Sequence, residues 1–158
     1  MFISKNFTNR ITDNSNTKSL SYKLRKRRIV PLLDMVNIVF SEKGKVSIVD
    51  VGGTEEYWNI LTYEIIKKYS ITITIINLPE MKRRIDHGPF KFIYADACDL
   101  ASIEDNYFDI LHSNSVLEHV GGWEKMKRFS REVSRIAPKH FIQTPNYWFP
   151  IEPHCMML

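Results

Sequence analysis

Residues 46–58 read VSIVDVGGTEEYW. A short β-branched run ends near Asp50, two glycines follow, and a helical pattern starts beyond them. Gly52 and Gly53 permit positive φ and a close backbone approach to a ligand, so the stretch reads as strand, glycine turn and helix. A dinucleotide turn asks for G-x-G-x-x-G. Here Thr54 stands at the second glycine and Tyr57 at the third, and Glu55 and Glu56 occupy the place where a diphosphate would meet a helix N-terminus. Two like charges ~5 Å apart repel by about 3 kcal/mol at an effective dielectric near ~20. That disfavours NAD or FAD. An adenosine ligand without a phosphate but with a positive centre escapes the repulsion, and S-adenosylmethionine has both properties. Asp50 is then placed to meet the ammonium of its amino-acid tail, directly or through water. A tight turn with no ligand is the bland alternative.

Outward from this stretch, strands and helices alternate. Residues 54–69 read as one helix with Trp58, Leu61, Ile65 and Tyr69 on one face. SITITIINL is a second strand, FKFIYADA a third, YFDILHSN a fourth and KHFIQT a fifth. Between the last two, residues 122–137 repeat Trp123, Met126, Phe129, Val133 and Ile136 at helical spacing, and Pro138 stops them. Upstream, residues 1–18 are a polar, flexible lead-in, and a basic amphipathic segment spans 19–43. In that segment Pro31 either kinks a helix or starts a second one, followed by Leu32, Met35, Val36, Val39 and Phe40. Residues 44–158 form the main domain. Short apolar strands alternating with helices make an α/β fold with a parallel sheet covered by helices.

The bulk properties are those of an ordinary soluble chain: 158 residues, 44% hydrophobic, 25% charged. The net charge of +4 is uneven, since residues 1–33 hold eight Lys/Arg against one acid. The run KLRKRR offers a contact to an anionic surface, but no aromatic residues interleave it, and nucleic acid is not an expected partner. No transmembrane run or signal-peptide core stands out. Cys98 and Cys155 form no C-x-x-C pair, which places the chain in a reducing cytoplasm. His112, His119, His140 and His154 show no zinc spacing with them, and neither G-x-S-x-G nor a Walker A loop is present.

In parallel sheets of this kind ligands bind beyond the carboxyl ends of the strands. Strand two ends in IINLPE, which puts Asn77 where an acid would accept hydrogen bonds from both ribose hydroxyls, with Leu78 beside it. An amide oxygen still accepts, though less strongly than a carboxylate. A turn asparagine is the competing reading. Strand three ends in YADACDL, where Asp96 would take the adenine amine and the Ala97 backbone would meet the ring. Asp99 reads as the cap of a following short helix, and Leu100 as core. Past strand four, Asn114 lies where a side chain reaches the sulfonium, and His119 next to Glu118 is the candidate general base. A histidine bonded to backbone is the alternative.

The segments IVDVGGTEEYW, IINLPE, YADACDL, FDILHSNSVLEHVGGW and FIQTPNYWFPIEPH, in this order, together resemble class I S-adenosylmethionine-dependent methyltransferases. The nearest likeness is to small enzymes of surface-polysaccharide or lipid biosynthesis, and it runs over about residues 19–154. The resemblance implies a Rossmann-like three-layer αβα sandwich with a mainly parallel sheet ordered 3-2-1-4-5-7-6. It implies cofactor contacts at Gly52, Gly53, Asn77, Asp96, Ala97 and Asn114, and a small-molecule, glycan or lipid-precursor acceptor. Asn77 departs from the family's acid. The chain also stops at HCMML, before strands six and seven, and so reads as truncated, with strand five an open edge along which two copies would pair. The competing reading is an inactive cofactor-binding remnant or an interaction module.

Overall fold

The computed structural model describes residues 27–144. The lead-in, the start of the basic segment, the loop after strand five, Cys155 and His154 lie outside the described residues.

Pro31 stands at the start of a helix. It lies in the first turn of α1 (Val30–Lys43), where its missing N–H is not needed. Gly44 ends α1 at φ +69, its N–H bonded to Phe40 O at 2.8 Å. Leu32, Val36 and Val39 are buried along one face, with Met35 and Phe40 packed at its margin.

Five strands follow: β1 (Val46–Val51), β2 (Ile71–Asn77), β3 (Phe90–Tyr94), β4 (Ile110–Asn114) and β5 (Lys139–Gln143). They form a parallel sheet ordered β3-β2-β1-β4-β5. The first five strands of the expected order are thus in place, and no sixth or seventh strand is found among the described residues.

Side chains alternate across this sheet, and each face builds its own core. Ile48, Ile73, Ile75 and Ile110 pack under α1 with Trp58 and Leu61. Val49, Val51, Ile76 and Leu111 pack on the opposite face against Phe129, Val133 and Ile136 of α4 (Trp123–Ile136). That second face is covered only in part. Ser47 pairs in register with Thr72, and Thr74 with Lys91, and these residues line an open groove of about 510 Å³.

Three local readings are corrected. The stretch 54–69 is two helices, α2 (Glu55–Trp58) and α3 (Tyr63–Lys68). Trp58 is buried and donates Nε1–H to Asp50 Oδ2 at 2.7 Å, which pulls the chain inward; Thr62 then caps a new helix by accepting from Ile65 N at 3.5 Å. Trp123 opens α4 on the solvent side, 70% exposed, while Phe129, Val133 and Ile136 carry the apolar face. No helix follows Asp99; residues 95–109 run as turns and loop.

Candidate functional site

A cavity of about 350 Å³ opens at the carboxyl ends of β1 to β4. The end of β1 and the turn after it contribute Val51 and Gly52, the end of β2 and the residue after it contribute Ile76, Asn77 and Leu78, the loop after β3 contributes Ala95, Asp96 and Ala97, and the segment after β4 contributes Ser115, Val116 and His119. The sheet order brings these ends together, because neighbouring strands run parallel and finish at one level.

The glycine turn is built without spare room. Gly52 sits at φ +73, and a β-carbon there would come within 2.6 Å of Val116 Cγ2. Its N–H bonds to Ile76 O at 2.8 Å and ties the turn to β2. A β-carbon on Gly53 would fall 1.7 Å from Asp50 Oδ2, so this glycine makes space for a carboxylate beneath the turn. Asn77 Nδ2 donates to Gly53 O at 3.1 Å and closes the turn from the β2 side. Asp96 accepts from Cys98 N at 2.8 Å, which bends the loop so that Asp96 and Ala97 form the cavity wall.

Three expected site residues stand outside the wall: Gly53, which covers Asp50, and Asp50 and Asn114 themselves. Asp50 is fully buried and does not line the cavity; one oxygen accepts from Trp58 and the other lies 2.6 Å from His112 Nδ1. Its place is underneath the turn, away from the cavity wall. Asn114 is exposed at the end of β4, in register with Gln143, and is not in the wall. Ser115, at φ +56, and Val116 take that position, because the left-handed step at Ser115 redirects the chain. His119 lies at the end of a single 3₁₀ turn, Leu117–His119, and borders the cavity.

The acidic lip is also not as bare as the local sequence reads. Arg84, from the loop between β2 and β3, pairs with Glu55 and lies 3.6 Å from Glu56, and His87 Nε2 sits 2.9 Å from Glu55. The Glu56 carboxyl is held below its usual range by its own backbone N–H, by the Thr54 hydroxyl and by Arg84. The Ile85 carbonyl, more than Glu55, raises His87 above an ordinary histidine. Repulsion of a diphosphate by Glu55 and Glu56 is therefore largely cancelled. What remains against a diphosphate is that α2 is a single helical turn of four residues, too short to present a helix dipole. The charges of Arg84 and His87 are visible in MKRRIDHG, but their pairing across the turn is not readable from spacing.

His112 escapes a local reading altogether. It lies mid-strand, 1% exposed, with Nδ1 on Asp50 and, among the described residues, no partner for Nε2. Its ring is boxed by Tyr57, Trp58 and Phe141, with centroids 4.5, 5.0 and 5.7 Å away.

Residues 49–140 match the family model described as methyltransferase domain. A comparison with curated proteins finds no match. Among solved structures, the chain is similar to a SAM-dependent methyltransferase from Archaeoglobus fulgidus, with 18% identity and a TM-score of 0.56 over 85% of this chain and 64% of that one. It is also similar to a candidate sarcosine dimethylglycine methyltransferase from Galdieria sulphuraria, with 15% identity and a TM-score of 0.50 over 77% of this chain and 47% of that one. The chain thus spans 64% and 47% of the length of these two structures, and at such identities the likeness establishes the fold.

Proposed function

The chain belongs to the methyltransferase-domain family, and from that premise we propose that it binds S-adenosylmethionine in this cavity and passes the methyl group to an acceptor. The acceptor class we favour is a small molecule, a glycan or a lipid precursor. The observation that carries the reading is the cavity itself, walled by the ends of four adjacent parallel strands in the order expected of a cofactor lying across them.

The residues present fit such a cofactor. At Gly52 the cavity wall is bare backbone, with no side chain to meet an adenosyl group. Asn77 uses its amide nitrogen on Gly53, which leaves the amide oxygen to accept from a ribose hydroxyl. The second carboxylate oxygen of Asp96 is suited to the adenine amine, and Ala97, Leu78 and Ile76 offer apolar wall to the ring. Gly53, Asp50 and Asn114 act from outside the wall in this reading, the first two by shaping the turn. Once bound, the cofactor supplies a methyl group on a positively charged sulfur, already activated toward a nucleophile. The chain then has to align the acceptor and hold its proton, and His119 at the cavity border is the group we assign to the proton.

Two further parts of the proposal concern surroundings. The free thiol of Cys98 accords with a reducing cytoplasm. Pairing of two copies along β5, where Ile142 is 42% exposed at the edge of the described sheet, is the self-association we assign. Among the described residues no helix is long and apolar enough to cross a membrane.

The direct test is titration with S-adenosylhomocysteine, followed by tryptophan fluorescence and calorimetry. A saturable change is expected, and silence in both measurements overturns the proposal. Gly52→Val should abolish the signal, because its side chain would run into Val116. Saturable binding without transfer of labelled methyl to any cell extract would retain the binding half and remove the transfer half.

A further inference from the structure

α1 and α4 each lie on the sheet and feed a strand through a short turn, α1 into β1 through Gly44 and Lys45, α4 into β5 through Ala137 and Pro138. Each helix therefore runs opposite to its strand, and its first residues stand at the carboxyl ends of the strands, where the cavity opens. Lys125, in the first turn of α4, lines that cavity. Arg27 and Val30, at the head of α1, share a groove with Ile60 and Leu61 beyond α2.

This face holds large apolar side chains in water. Val30 at the head of α1 is more than half exposed, and Trp123 at the head of α4 stands well out from the fold. In the loop between β2 and β3, Leu78 and Met81 are more than half exposed and Ile85 is 87% exposed. Leu78 and Met81 also form the cavity rim. The loop is tied in this position. Met81 N bonds to Leu78 O at 3.0 Å, the Tyr94 hydroxyl donates to Lys82 O at 3.3 Å and accepts from Arg84 N, and the Arg84 guanidinium pairs with Glu55. A tethered loop that holds three such side chains outward leaves apolar surface for a partner to cover.

Cations stand among these side chains. Arg27, Arg28, Lys82 and Lys125 are exposed and have no carboxylate partner among the described residues. Lys127 lies 5.7 Å from the centre of the Trp123 ring. Of the acids on this face, Glu55, Glu56 and Glu124 are met by Arg84 and Lys127, which leaves Glu80 and Glu118 beside Asp96 of the cavity wall. The unmatched charge is positive, so the partner is anionic. It is also deformable: the apolar side chains project from three separate segments, and a fluid interface takes them up without the matched shape that a protein contact needs. Tryptophan suits the headgroup level, where the ring is apolar and the N–H stays wet.

We propose that this face docks on an anionic bilayer, with the apolar side chains of the β2–β3 loop and of the two helix heads in the interface and the cations on the headgroups. The cavity mouth then opens onto the membrane, and the acceptor comes from it as a lipid precursor. What enters the mouth rests on the cofactor reading above; the docking does not.

The test is co-sedimentation of the full chain with vesicles of phosphatidylcholine, with and without phosphatidylglycerol, alongside titration with S-adenosylhomocysteine. Phosphatidylglycerol should raise retention by about tenfold or more, and salt should reduce it. Ile85→Glu should weaken retention by about tenfold, the low end of what burying such a side chain contributes. Lys82→Gln should weaken it by about fivefold, for one charge at the surface. Both positions are exposed and outside the cavity wall, so cofactor-product binding should be unchanged in both variants, which reports that they fold. Brominated lipid should quench tryptophan emission, and less so in Trp123→Phe. Equal retention by neutral and anionic vesicles, or retention that neither Ile85→Glu nor Lys82→Gln weakens, overturns the inference. A mass in light scattering without vesicles that Ile85→Glu lowers also overturns it, by assigning the face to a second copy. No retention with S-adenosylhomocysteine still bound overturns it and leaves the cofactor reading standing. Retention without S-adenosylhomocysteine binding upholds the docking and overturns the cofactor reading.

Discussion

A β-carbon at Gly53 would stand 1.7 Å from Asp50 Oδ2, closer than any non-bonded contact allows. The carboxylate is held by Trp58 and His112 and cannot swing away without breaking a buried bond. Gly53→Ala should therefore destabilise the chain by about 1–3 kcal/mol, as overpacking does. It should also weaken binding of S-adenosylhomocysteine, because relief comes most easily by lifting the turn into the cavity. Urea unfolding checks the first effect and fluorescence titration the second; an unchanged midpoint would show that the turn yields. At this scale the sequence was only half legible. Two adjacent glycines announce close approach, but whether to a ligand or to the chain itself depends on where Asp50 points. Here one glycine serves each purpose: Gly52 borders the cavity and Gly53 covers the carboxylate.

Among elements, one joint sensitive to acid lies between α1 and the sheet. Asp109, just before β4, accepts from Ser47 N at 2.8 Å, from Ser47 Oγ at 2.7 Å and from Lys43 at the end of α1. Burial pushes its carboxyl up, but the hydrogen bonds from Lys43 and Ser47 outweigh burial and leave it below the usual range. On the other face, Arg135 holds the Glu132 carboxyl low, and Glu132 also accepts from Leu100 N at 2.9 Å. A carboxyl whose value is lower folded than unfolded adds stability above its unfolded value, about 4. That stability is lost as pH falls through the lower, folded value. Unfolding free energy should thus be flat in this contribution above about pH 5 and fall below about pH 4. Asp109→Asn should make the acid slope shallower, at the cost of stability near neutrality. Chemical denaturation at a series of pH values checks both, and an unaltered slope would remove Asp109 from the explanation.

For the molecule as a whole, the described sheet is bounded by β3 and β5. Ile142 on β5 is an exposed large apolar side chain on an edge that no described strand pairs, which invites another strand. Ile142→Lys should convert a dimeric species to monomer in light scattering, because a charge on an edge strand opposes pairing. Its effect on unfolding free energy should stay within about 0.5 kcal/mol, as for other surface changes. A mass unaffected by the substitution would move the association surface elsewhere.

The amino-acid sequence by itself determined the five strands, the place of α1 and α4, and the glycine turn, because each rests on local periodicity and on nearby glycine or proline. It also placed Asn77, Asp96, Ala97 and His119 at strand ends that meet at one cavity. Only the tertiary structure decided which charges are met and which side chains are sealed. Asp50 and His112 are 62 residues apart and touch because β1 and β4 are neighbours. Arg84 reaches Glu55 across 29 residues and cancels an acidity that looks bare in the local sequence. Burial and charge compensation are sums over everything nearby in space, and proximity in space is what strand order creates.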